Sequence, residues 1–364
     1  MTIDIENGNL RILITGGAGF IGGCLIRRLL DESNAKVFNL DKISYASDLS
    51  IIQESPNNLR HFLIKVNLND FEKTSLAIKE SDPDLIFHLA AESHVDRSIE
   101  NAEPFLQSNI IGTFNLLESA RIHWESLSPS RKARFRFLHV STDEVFGSLG
   151  PKGKFSENTP YDPRSPYSAT KAGSDHLCNA WLHTFNLPII RTNCSNNYGP
   201  YQFPEKLIPI IIFKALNQST IPIYGDGTNI RDWLFVEDHI DALILAMKKG
   251  KIGANYCIGG SNEKTNLEIA EFICNFLDQK YPFNSPYSKL IKFVKDRPGH
   301  DKRYAIDSSL IMIELGWKAK NSFEEGLKKT IEWYLKNISW YESTQMRSGY
   351  KGERIGLSKN AKNN

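Results

Sequence analysis

The residues best suited to chemistry fall in two short stretches. Tyr167 and Lys171 form Y-x-x-x-K inside a helical pattern. An i, i+4 spacing puts both side chains on one helix face, about one turn apart. A free phenol titrates near about 10, and a nearby cation favours its ionised form, so this spacing predicts a tyrosine base. The second stretch, Ser141-Thr142-Asp143-Glu144, lies about 25 residues upstream at the end of an apolar run. The Thr142 hydroxyl can bond the same substrate oxygen that Tyr167 deprotonates. Asp143 and Glu144 are more than simple oxidation requires. A carboxylic acid beside a carboxylate suits elimination, in which one group removes a C–H proton and the other protonates a leaving hydroxyl. Both are expected to point at the substrate.

A strand followed by Thr15-Gly16-Gly17-Ala18-Gly19-Phe20-Ile21-Gly22 and then a helix places G-x-x-G-x-x-G in a dinucleotide-binding context. Gly16 serves the tight turn, Gly19 the approach of a pyrophosphate, and Gly22 the packing of helix on sheet. The helix N-terminus offers free N–H groups to the phosphates. Asp41 ends the second strand, nineteen residues beyond Gly22. A carboxylate there accepts from ribose hydroxyls and repels a 2′-phosphate, so the cofactor is expected to be NAD. Lys42 is the next residue and weakens that argument. His88-Leu89-Ala90-Ala91 closes the fourth strand with small residues across which a dinucleotide can lie; His88 itself reads as a buried structural histidine. Lys171 is placed to reach the nicotinamide ribose.

These residues need a parallel sheet to bring them together. Strand-length apolar runs, Leu10–Thr15, Lys36–Leu40, His61–Val66, Leu85–Ala90, Phe135–Val140 and Pro188–Thr192, alternate with helical patterns at Phe20–Leu30, Pro104–Arg121 and Tyr167–Phe185. Such alternation predicts an α/β, Rossmann-type doubly wound parallel sheet covered on both faces. Beyond residue 195 the rhythm breaks into loops rich in Pro, Gly, Asn and Tyr, with helices expected near Pro204–Asn217, Val236–Lys249, Asn266–Leu277 and Phe323–Tyr334. The division is therefore a nucleotide domain over 1–195 and a smaller substrate-binding domain over 196–364, with the chain crossing back. The segment Trp124–Arg136 reads as a basic loop, and Gly356–Asn364 as a mobile tail.

The 364 residues fit about two domains at roughly 150 residues each. Charged residues make up 24% and the formal net charge is +2, which argues against a nucleic-acid partner. No run approaches the roughly 18 apolar residues of a membrane helix, and the N-terminus does not read as a secretory signal. The five cysteines are odd in number and widely spaced, with no metal-ligand pattern, so a cytoplasmic protein with reduced thiols and no metal is expected.

The segments TGGAGFIG, HLAAESHVDRS, STDEVFG, YSATKAGSD, NNYGPYQFPEKLIP, YGDGTNIRDW and DRPGHDKRYAID together resemble the dTDP-glucose 4,6-dehydratases, a family of extended short-chain dehydrogenases. The resemblance runs from about residue 10 to about residue 357. It implies that Tyr167, helped by Thr142 and Lys171, oxidises the sugar at C4 with NAD. It further implies that Glu144 removes the C5 proton, that Asp143 protonates the leaving 6-hydroxyl, and that the hydride returns to C6. The product would be the 4-keto-6-deoxy sugar of a deoxysugar pathway. Cofactor contacts are implied for Asn67, Leu68 and Ser108. Sugar and diphosphate contacts are implied for Ser93, Asn196, Lys206 and Leu207, and phosphate or nucleoside contacts for Arg231, Asn266, Arg297 and His300. Pro222–Tyr224 would lie against the base and deoxyribose. Asn67, Ser108 and Phe146 depart from the family's usual aspartate, threonine and tyrosine. A homodimer joined through Pro104–Arg121 and Tyr167–Phe185 is also implied. The competing readings are a UDP-glucose 4,6-dehydratase, a nucleotide-sugar epimerase or decarboxylase that has no use for the acid pair, and a non-catalytic dinucleotide-binding regulator.

Overall fold

The computed structural model describes residues 2–350 apart from 54 and 56. The chain supplies strands β1 (Arg11–Thr15), β2 (Lys36–Asp41), β3 (His61–Lys65), β4 (Leu85–His88), β5 (Arg136–Thr142) and β6 (Ile189–Cys194). There follow β7 (Asn196–Tyr198), β8 (Ile221–Tyr224), β9 (Ile230–Phe235), β10 (Asn255–Ile258), β11 (Glu263–Thr265) and β12 (Ile291–Val294). Among the described residues, seven strands form one parallel sheet in the order β10-β6-β5-β4-β1-β2-β3. The order reverses between β1 and β4, and open α/β sheets place ligands at the carboxyl ends of strands around such a point.

Burial on both faces explains why these strands read as continuous apolar runs. On one face Ile12, Ile14, Leu138 and Ile190 pack with helices Phe20–Glu32 and Val236–Lys249. On the other, Leu13, Ile86 and Phe137 pack with helices Phe71–Ser81, Gly112–Ser126 and Pro166–Phe185. The second half of the chain builds a separate core from helices Leu207–Leu216, Asn266–Lys280 and Phe323–Lys336. These helices cover β7, β9 and β11, which form a mixed sheet, and the parallel pair β8–β12. β10 and helix Val236–Lys249 return to the first sheet.

Several elements differ from the sequence expectation. The strand expected over Leu85–Ala90 ends at His88, leaving Leu89–Ala91 as open cavity wall. The single helix expected over Pro104–Arg121 contains a π-helical stretch, Leu106–Ile111, between Glu103–Phe105 and Gly112–Ser126. The wider turn aims Asn109 inward, where its amide donates to Glu92 O at 3.0 Å and to Thr170 Oγ1 at 2.9 Å. π-turns are rare inside helices and collect at functional sites; here Ser108 lines a cavity. The basic segment Trp124–Arg136 is not a plain loop but carries a helix, Pro129–Arg134, whose Arg131 grips Asp82 and Asp84. The tail Gly356–Asn364 lies outside the described residues.

Candidate active site

Two cavities meet at the carboxyl edge of the sheet, and Ser93, Glu144, Asn196, Glu205 and Lys206 line both. The first is lined by all the residues expected to hold the dinucleotide: Gly16, Gly19, Phe20, Ile21, Gly22, Asp41, Lys42, Asn67, Leu68, Leu89, Ala90, Ala91, Ser108, Tyr167 and Lys171.

Its floor has the shape a pyrophosphate needs. Gly16 adopts φ +73°, and a Cβ there would stand 2.7 Å from Ala90 N. A Cβ on Gly22 would collide with the Gly16 carbonyl. Helix Phe20–Glu32 has no side-chain cap and no acidic residue in its first turn, so its N–H groups face the cavity uncompeted. Asp41 accepts from Ala18 N at 3.0 Å and from Ile43 N at 2.8 Å, which ties the glycine loop to the end of β2. Lys42 does not offer its charge to a 2′-phosphate, because its ammonium is paired with Glu92 at 2.5 Å. The residues present therefore fit NAD better than its phosphorylated form. His88 is structural, as its ring nitrogens bond Thr15 Oγ1 at 2.7 Å and Thr113 Oγ1 at 2.9 Å.

The chemistry-bearing groups stand where the two cavities join. The capping box of Ser165 and Ser168, with Pro166 in the first turn, starts the helix that carries Tyr167 and Lys171. Lys171 donates to Val140 O at 2.8 Å; burial lowers its ammonium, and Asp175 opposes that shift. The Thr142 hydroxyl acts to lower the Tyr167 phenol, against larger opposing influences. Burial first, and then the Glu144 carboxylate, push the Tyr167 phenol well above its ordinary range in the chain by itself, and the Lys171 ammonium is directed to a backbone carbonyl.

The acid pair also differs from the expectation. Asp143–Phe146 is a 3₁₀ turn, capped by Thr142 Oγ1, which accepts from Glu144 N at 3.3 Å. With about three residues per turn, adjacent side chains cannot share a direction. Glu144 lines both cavities, whereas Asp143 lines neither and is 1% exposed behind Thr142. Thr142 Oγ1 donates to Asp143 Oδ1 at 3.3 Å, and Asp143 Oδ2 has no partner among the described residues. Burial, with Glu144 and Asp232 nearby, pushes the Asp143 carboxyl well above its usual range. Burial also raises Glu144, but Arg297, Arg231 and Lys206 oppose the shift. Both carboxyls are raised, and the cations that oppose the rise gather mainly at Glu144, which favours Glu144 as the base of the pair and Asp143 as the acid.

The second cavity is lined by Ser93, Asn196, Lys206, Leu207, Pro222, Tyr224, Arg231, Asn266, Arg297 and His300, the residues expected to hold the sugar nucleotide. Arg231 is buried, with its guanidinium 4.2 Å over the Tyr304 ring. Arg297 pairs with Asp96 at 2.7 Å, yet its buried Nε–H has no partner among the described residues. His300 bonds Asp296 at 2.7 Å, and burial with the two arginines lowers it to about 4, leaving a neutral ring. Two sequestered guanidiniums and an unused donor suit a diphosphate. Sequence reasoning missed Tyr45, Ser47, Asn197, Gln202 and Glu205, which also line the cofactor cavity or the junction. The turn-rich spacing of residues 42–49 after Asp41 was the available signal for Tyr45 and Ser47.

A switch-point cavity shaped for a dinucleotide, a Tyr–Lys helix and an adjoining cationic cavity define an NAD-dependent nucleotide-sugar enzyme of the extended short-chain dehydrogenase type. The family model described as GDP-mannose 4,6 dehydratase matches residues 13–330. The chain is 51% identical to a probable dTDP-glucose 4,6-dehydratase of Sinorhizobium fredii, over 97% of this chain and 100% of that one. It is 49% identical to the dTDP-glucose 4,6-dehydratase of Neisseria meningitidis, over 96% and 99%. The crystal structure of a Streptomyces venezuelae dTDP-glucose 4,6-dehydratase with NAD bound superposes with a TM-score of 0.83 at 38% identity, covering 92% of this chain and 99% of that one. The chain belongs to the dTDP-glucose 4,6-dehydratase family. Among the described residues no helix is long and apolar enough to cross a membrane, and no cluster of three His, Cys, Asp or Glu could hold a metal.

Proposed function

We propose that this chain converts dTDP-glucose to dTDP-4-keto-6-deoxyglucose and water, with NAD as a retained cofactor. The observation that carries the reading is Glu144, which faces both cavities beside Tyr167 and within the influence of Arg231, Arg297 and Lys206. When bound, NAD would supply a hydride acceptor for C4 and a hydride donor for C6, and its positive ring would add charge that lowers the Tyr167 phenol. Tyr167 accepts the proton of the 4-hydroxyl while Thr142 holds that oxygen. Lys171, anchored on Val140 O, orients the cofactor ribose. The new 4-keto group acidifies C5, and Glu144 takes the C5 proton. Asp143, protonated in its buried position, supplies the proton on which the 6-hydroxyl departs as water. Because Asp143 sits behind Thr142 and accepts from its hydroxyl, it acts by turning its free Oδ2 toward the cavity. Glu144 returns its proton to C5. Arg231, Arg297 and neutral His300 hold the diphosphate, Ser93, Asn196, Lys206 and Leu207 the sugar end, and Pro222, Tyr224 and Asn266 the nucleoside.

On this reading residues 1–195 form the cofactor domain, 196–364 the main sugar-nucleotide domain, and the enzyme works in the cytoplasm. It works as a homodimer, since Leu106, Ile111, Phe114, Ile122 and Phe185 lie exposed on the paired helices. Separate incubation with dTDP-glucose and UDP-glucose tests the substrate. Formation of the 4-keto-6-deoxy product from dTDP-glucose alone is expected; equal turnover of UDP-glucose would make the thymine reading wrong.

A further inference from the structure

Glu205 has no part in the chemistry above, yet its placement is unusual. Its side chain is 3% exposed and touches the lining of both cavities. Each carboxylate oxygen holds a different segment of the chain. Oε1 accepts from Tyr45 Oη at 3.0 Å, and Oε2 accepts from Arg97 Nε at 2.9 Å. Tyr45 belongs to the loop after β2 and lines the cofactor cavity only. Arg97 lies on helix Val95–Glu100, whose first residues, with the preceding His94, line the sugar-nucleotide cavity. His94 Nε2 stands 3.9 Å from Oε2, and its ring is held neutral by burial, then by Lys206 and Arg97. The Arg97 guanidinium also stacks 4.0 Å over the Tyr45 ring, whose edge meets Phe203 at 5.5 Å. The adjacent Lys206 reaches across to Ser93 O at 3.0 Å.

A buried carboxylate must be paired, and charge-assisted bonds to two segments hold both in one geometry. We infer that Glu205 is a positioning residue that latches the Tyr45 loop of the cofactor cavity to the wall of the sugar-nucleotide cavity, so that filling the second cavity slows escape from the first. This rests on the assignment of the two cavities made above. A latch of this kind couples two sites reciprocally, with a typical size of about 5- to 150-fold in affinity.

The test is the release rate of bound NAD, followed by its transfer to an excess of an NAD-capturing dehydrogenase, with and without dTDP, for the whole chain and its Glu205→Gln and Arg97→Gln variants. Arg97 lines neither cavity, so an effect there cannot arise from a lost ligand contact. Both variants are expected to release NAD about tenfold faster, within the range of a two-site coupling, and dTDP is expected to slow release in the parent but not in the variants. Thermal melting with saturating NAD separates this from general unfolding. The latch is overturned if both variants release NAD at the parental rate, or if dTDP slows their release by the parental factor. It is also overturned if the parent binds dTDP by calorimetry and releases NAD no more slowly. A parent that does not bind dTDP overturns the nucleotide assignment itself.

Discussion

Replacing Glu144 by Gln should separate oxidation of the sugar from elimination. The amide keeps the side chain's shape at the junction of the cavities but cannot accept the C5 proton. Tyr167, Thr142 and Lys171 are untouched, so oxidation at C4 should proceed; removing the Glu144 charge even relieves one of the influences that raise the Tyr167 phenol. It also removes the nearest charge that raises Asp143 after burial, so the neighbouring acid becomes a better proton donor. Loss of a general base costs about 10²- to 10⁴-fold, equivalent to about 2.7–5.4 kcal/mol of barrier. Elimination should then limit turnover, and enzyme-bound reduced cofactor should accumulate on mixing with dTDP-glucose. Stopped-flow absorbance in the reduced-nicotinamide band follows the first step, and deuterium uptake at C5 in heavy water follows the second. Tyr167→Phe should abolish both signals. The assignment fails if Glu144→Gln exchanges the C5 hydrogen at the parental rate. If Asp143→Asn blocks exchange while Glu144→Gln does not, the two roles are reversed.

Protein purified without added cofactor should carry NAD, as read by mass spectrometry of the denatured supernatant; NADP as the main species would contradict the roles of Asp41 and the Lys42–Glu92 pair. Light scattering should give about twice 41.3 kDa, and Phe114→Glu, which places a charge beside exposed Leu106 and Ile111, should halve the mass while leaving the far-ultraviolet dichroism unchanged. Asp175 accepts from Ser141 at 2.7 Å and Tyr161 at 2.8 Å and stands 3.0 Å from His139 Nε2, and its carboxyl is held below the ordinary range although burial opposes this. A depressed carboxyl stabilises the fold above its unfolded pKa of about 4, and that contribution is lost as pH falls through the folded value. Asp175→Asn should therefore lower stability at neutral pH by about 1–3 kcal/mol, as when hydrogen bonds to a buried charged acceptor are lost, and should flatten the acid limb of a denaturation profile. Asp175 also supports the charge on Lys171, so the alkaline limb of turnover should move to lower pH in the same variant.

Local chemistry was legible in the linear chain wherever it is set by near neighbours. Gly16 must turn with positive φ, Gly22 must pass close to it, and the apolar runs on either side have the lengths of a buried strand and a helix, so the cofactor floor could be read without coordinates. The same holds for Tyr167 and Lys171, one helical turn apart. The family likeness located the cationic residues of the second cavity, although nothing in their spacing brings Arg231, Arg297 and His300 together. Only the tertiary structure decided which way the neighbouring acids face. A 3₁₀ turn separates Asp143 from Glu144, and the cations that distant segments bring to Glu144 set these two buried neighbours in different surroundings. The π-turn that aims Asn109 inward, the neutralisation of Lys42 by Glu92 fifty residues away, and the meeting of Tyr45, Arg97 and Glu205 depend on contacts between distant segments. The return of β10 to the edge of the first sheet is of the same kind. Such contacts leave no periodic trace, because the partners are chosen by the packing of the whole sheet and not by their neighbours in the chain.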